Sequence, residues 1–91
     1  MTYLKEQIIK EIANSVEMTP VDFKSVLVSS RNAQELIYNS SNVDLLSTYP
    51  TIKALAIDVV ALTFPTKIML NLLKKVDACT ALDRPLKELL L

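Results

Sequence analysis

Catalysis near neutral pH draws on a short list of side chains, and the commonest of them is missing from these 91 residues. No histidine is present. That removes the commonest general base, the Ser-His and Cys-His nucleophile pairs and the usual zinc ligand. The single cysteine, Cys79, can build neither an internal disulfide nor a thiolate cluster. On the apolar side of its helix it reads as a small buried hydrophobe. Glycine is absent too, so the chain has no glycine-rich loop to cradle a phosphate or a dinucleotide. Ten carboxylates remain, but none forms a pair in an apolar setting, as acid–base work would need. Asp58 stands apart, a carboxylate inside the otherwise apolar stretch from Ala54 to Phe64. It is expected at a helix edge, paired with a nearby lysine; partner recognition is its other reading. The expectation is a chain that is not an enzyme, with no metal, no cofactor and no small-molecule substrate. It should act by binding another macromolecule.

Composition narrows the partner. Ten basic residues balance ten acidic ones, whereas a free-standing nucleic-acid binder carries a visible basic excess. The charge is unevenly spread. Residues 1–49 hold four basic and six acidic side chains, and residues 50–91 hold six basic and four acidic, so the halves stand at −2 and +2. Apolar residues make up 51% of the chain with no glycine in the count. A domain this small has little interior for so many, and the surplus points to an oligomer or partner interface. No apolar stretch reaches the roughly 20 residues of a membrane span, and the N-terminus is already polar and amphipathic. A cytoplasmic chain with no membrane contact is expected.

The elements that would carry such an interface are helices. Proline stands where helices begin, within a turn of a capping side chain: Thr19-Pro20, Thr48 before Pro50, Thr63 before Pro65 and Asp83 before Pro85. Asn32 with Glu35, and Ser41 with Asp44, suggest two more starts. The reading is an all-α, compact orthogonal bundle of about five or six short helices in one domain, residues 1–91. Segments fall at 3–15, 20–29, 32–39, 50–63, 65–78 and 84–90. Residues 42–47 form a further turn or a loop, and the second and third segments are open to being continuous. Asn39-Ser40-Ser41-Asn42 divides an N-terminal half, 1–40, from an apolar C-terminal half, 41–91. The first helix sets Leu4, Ile8, Ile12 and Val16 at spacing four. The 65–78 helix turns Ile68, Met69, Leu72, Leu73 and Val76 inward and Lys67, Asn71 and Lys74 outward.

The 50–63 helix is apolar on two sides, with Ile52, Leu55, Ala56 and Val59 on one face and Ala54, Ile57 and Ala61 on the other. Such a helix is surrounded by protein. Either it is the centre of the bundle, or its Ala54–Ala61 face meets another copy of the chain, and both can hold in part. The closing Leu86-Lys87-Glu88-Leu89-Leu90-Leu91 either folds back on the core or crosses to a partner. Ala54, Ile57, Asp58, Ala61, Leu86, Leu89 and Leu90 are therefore the candidate interface of a protein-interaction or regulatory module that self-associates.

Residues 9–28 carry a competing pattern. Ala13 is the small residue where two helices would cross, with Ile12, Val16, Met18, Phe23 and Val26 on buried positions and Thr19-Pro20 starting the second helix after a short turn. In that spacing the segment resembles the helix-turn-helix class, over about 20 residues. The position where that class commonly has glycine is Glu17. The resemblance implies a dimeric DNA-binding transcriptional regulator. Thr19, Val21, Lys24, Ser25 and Val28 would then face the groove, with Arg31 just beyond, and only Lys24 and Arg31 are able to reach a phosphate or a guanine edge.

Overall fold

Hydroxyl side chains decide where this chain turns. The computed structural model describes residues 2–90, with side chains from Lys5 onward, so the expectations for Leu91 and for the Leu4 side chain fall outside the described residues. Among the described residues seven α-helices follow in order: α1 Thr2–Ser15, α2 Pro20–Leu27, α3 Arg31–Gln34, α4 Asn42–Thr48, α5 Ile52–Thr63, α6 Thr66–Ala78 and α7 Lys87–Leu90. A wide π-turn, Glu35–Asn39, extends α3, and a 3₁₀ turn, Thr80–Asp83, follows α6. Four helices start on a hydroxyl that accepts a backbone N–H three residues on: Thr19 from Asp22, Ser30 from Ala33, Ser41 from Asp44 and Thr51 from Ala54, at 3.1–3.3 Å. Each satisfies a donor that the helix itself leaves unpaired. The all-α class expected from the sequence is the fold.

Several boundaries differ from the sequence reading. Ser30, not Asn32, caps α3, and its hydroxyl also donates to the Leu62 carbonyl at 2.7 Å, which separates α2 from α3. The 42–47 segment is a full helix reaching Thr48. Pro50 and Pro85 do not open helices. Instead, the backbone around them pairs antiparallel: the Ile52 N–H donates to the Arg84 carbonyl at 3.0 Å and the Leu86 N–H to the Pro50 carbonyl at 3.1 Å. This strap holds the approach to α7 extended, so α7 starts only at Lys87. Thr63 caps nothing; its hydroxyl donates back to the Val59 carbonyl at 2.6 Å. Ile68 is exposed rather than inward, because residues 65–68 are all exposed where the first turn of α6 projects past its neighbours.

One contiguous core joins the elements. Ile8, Ile9, Ile12, Ala13 and Val16 of α1 pack with Phe23 and Leu27 of α2, Ala33, Ile37, and the buried face of α5. The radius of gyration, 11.8 Å, matches the roughly 12 Å expected for this length. The ring centroids of Phe23 and Phe64 lie 6.0 Å apart, tying α2 to the α5–α6 corner.

Where α1 meets α2, Glu17 stands at φ 60°, the only positive-φ residue besides glycine among those described. The Met18 N–H donates to the Ala13 carbonyl at 3.0 Å and the Glu17 N–H to the Asn14 carbonyl at 3.2 Å. Those two bonds are a Schellman closure, in which the left-handed residue is normally glycine. The glycine position read from the sequence therefore has the backbone shape glycine favours. A side chain there costs about 1–2 kcal/mol, and glycine's extra freedom when unfolded offsets about half of that. Glu17→Gly should thus raise stability by about 0.5–1 kcal/mol, net of the exposed pair that Glu17 makes with Lys75 at 2.6 Å. Urea denaturation checks this; Glu17→Ala, which keeps a Cβ, should give no gain.

Candidate functional site

Helix α5 carries an open face that is apolar at Ile57, Ala61 and Leu62. Ile52, Leu55, Ala56, Val59, Val60 and Thr63 are buried. The reverse side is open: Ile57, Asp58, Ala61 and Leu62 are exposed and Ala54 is half-buried. Ile57 and Leu62 keep 38% and 40% of their surface. The helix is therefore not surrounded within its own chain. On its buried side it packs against α3, α6 and the 3₁₀ turn, so the chain itself covers one of the two apolar faces and leaves the other open. The structure brings Ala54, Ile57, Asp58 and Ala61 onto one surface and adds Leu62.

Asp58 is partnered by a tyrosine, not by a lysine. The Tyr49 hydroxyl, arriving from the end of α4, donates to Asp58 Oδ2 at 2.6 Å. Burial of the phenol, reinforced by the hydrogen bond and the carboxylate charge, pushes Tyr49 up to about 12. The nearest lysine in sequence, Lys53, is instead engaged by Asp83 at 2.8 Å and by the Asp77 carbonyl at 2.7 Å. The one charge on the α5 face is thereby tied down by a neutral donor.

The closing leucines separate from this surface. Leu86 is fully buried and Leu90 nearly so, both within the chain's own core, while Leu89 is half-buried. The strap turns Leu86 inward against the elements that α7 covers, so Leu86 and Leu90 leave the candidate interface. Cys79 is half-buried, packed against the core from its edge.

On the helix-turn-helix-like segment, Ile12, Val16 and Phe23 are buried, and Met18 and Val26 half-buried. Thr19, Val21, Lys24, Ser25 and Val28 are exposed together. Both cations are matched within the chain. Lys24 Nζ lies 2.7 Å from Glu6 Oε1, a hydrogen bond that holds the ammonium above its ordinary range. Arg31 Nε lies 3.3 Å from Glu35 Oε1. What stays open is Thr19, engaged as a cap, with Val21, Ser25 and Val28, a surface more apolar than basic.

Two buried polar features had no signal in the sequence. The Lys5 ammonium is buried and donates to the Ser40 carbonyl at 2.9 Å, clamping α1 to the joint at 39–42. Burial holds it below the ordinary lysine range. The Tyr38 hydroxyl, on the π-turn, is buried with no hydrogen-bond partner among the described residues. Both arise from contacts between residues far apart in the chain, which spacing along the sequence does not encode.

No helix is long and apolar enough to cross a membrane, among the described residues. The chain matches no family model, no curated protein and no solved structure.

Proposed function

We propose that this chain is a small non-catalytic interaction module that pairs with a second copy of itself through the open face of α5. The supporting observation is that face: Ile57, Ala61 and Leu62 exposed beside a half-buried Ala54, with Asp58 held by Tyr49. Ala54 and Ala61 lie two turns apart with Ile57 between them. Two such helices related by a two-fold axis can set each Ile57 against the partner's alanines, and small residues permit the close approach. The balanced net charge offers no repulsion to that pairing. Sedimentation over a range of concentrations tests it. The wild-type mass should rise toward a dimer, and Ile57→Glu should remain a folded monomer, losing less stability than a change at a fully buried site of the core. A wild-type chain that stays monomeric at millimolar concentration would end this reading.

A second reading, a helix-turn-helix module on duplex DNA, is supported by the left-handed Glu17 at the turn. The pairing of Lys24 with Glu6 and Arg31 with Glu35 opposes it. Salt-sensitive duplex binding abolished by Lys24→Glu would favour it over self-association.

A further inference from the structure

A groove of about 460 Å³ opens beside α4 and α7, lined by none of the proposed pairing residues, although Tyr49 links its wall to Asp58. Leu46, Tyr49, Pro50 and Pro85 give it apolar walls, and Lys87 is the one charged side chain lining it. Its frame is fixed before any ligand arrives. The strap pairs Thr51 with Pro85 and joins the Leu86 N–H to the Pro50 carbonyl, so the two prolyl rings are held by main-chain bonds. The Tyr49 hydroxyl is engaged by Asp58, which fixes the ring that lines the groove. Preorganised walls of this kind lower the ordering cost of binding.

The charges nearby make Lys87 distinctive. Lys53 is matched by Asp83, and Arg84 by Glu11 and Glu88. Among the described residues Lys87 has no acidic partner. An apolar groove with one lysine ammonium at its rim is complementary to an apolar body bearing a single negative charge.

We propose that this groove binds a small apolar monocarboxylate, with an aromatic ring or short aliphatic chain against Tyr49, Pro50 and Pro85 and the carboxylate on the Lys87 ammonium. A phosphate ester carries more charge than one lysine answers. A peptide would bring backbone N–H and C=O groups into a slot whose lining side chains offer one free polar partner, leaving those groups unpaired.

The test is titration of the ¹⁵N-labelled chain with 3-phenylpropanoate, its neutral amide 3-phenylpropanamide, and the tripeptide Ala-Ala-Phe. A ligand of this size in a shallow groove should bind with a Kd on the order of 1 mM. Shifts should saturate and centre on Leu46, Tyr49 and Lys87. The amide should bind about fivefold more weakly, as expected for the loss of one partly exposed charge contact. Lys87→Gln should produce the same loss, and added salt should reproduce part of it. Lys74→Gln, which removes a lysine outside the groove, should change nothing. Shifts that fail to saturate or that centre elsewhere would overturn the proposal. So would equal affinity for acid and amide, equal effects of the two lysine variants, or tighter binding of the tripeptide than of the free acid.

Discussion

Replacing Phe23 with alanine should cost about 3–5 kcal/mol of folding stability. The ring is fully buried, so the loss combines the transfer free energy of the ring with the cavity left behind. The tilted contact with Phe64 at 6.0 Å adds about 0.5–1.5 kcal/mol beyond buried area. A 91-residue domain has about 5–14 kcal/mol in total, so the variant should sit close to its unfolding transition at room temperature. At about 4–8 °C per kcal/mol the thermal midpoint should fall by at least about 12 °C. Phe23→Leu and Phe64→Leu keep the chain folded, and a double-mutant cycle between them isolates the ring–ring coupling. A loss below about 1 kcal/mol for Phe23→Ala would mean that α2 is not docked on the α5–α6 corner, and the exposed arrangement of Val21, Lys24 and Ser25 would fall with it.

Leu86→Ala should cost about 2–5 kcal/mol while leaving the molecular mass distribution unchanged. This combination separates the two fates a closing leucine run can have. A side chain that belongs to its own core lowers the urea midpoint at every protein concentration. One that belongs to an interface weakens association and leaves the isolated monomer as stable as before. Leu86 is fully buried beside a strap anchored by two backbone hydrogen bonds, so the first pattern is expected. Combined with Ile57→Glu, the two changes should act independently: one on stability, the other on mass.

The helical skeleton was legible because its signals are local. Thr19 and Ser41 announce α2 and α4 through bonds that span three residues, and the spacing of Ile8, Ile12 and Val16 fixes the buried side of α1. The errors share one cause. Proline next to a capping side chain suggests a helix start at 50 and 85, yet the surroundings of both are set by each other across the strap. Asp58 was matched with lysine because charge suggested it, whereas its partner Tyr49 lies across a helix break. The pattern of α5 showed two apolar faces but not which of them its own chain would cover, since that depends on where α3 and α6 pack. Glu17 has a left-handed backbone that no spacing of apolar residues announces, since its side chain is not glycine's.

The closures described above have a consequence for the chain before it folds. Most connections among the described residues are made with hydroxyl caps, prolines and one strained glutamate, in a sequence with no glycine. Average usage would place about six glycines in a chain of this length. Each glycine replaced by a residue with a side chain narrows the disordered ensemble by about 0.4–1 kcal/mol, where the native backbone permits it. Four prolines narrow it again. Part of what keeps so small a domain folded therefore lies in no contact of the native structure, but in how few other shapes the loosened chain can take.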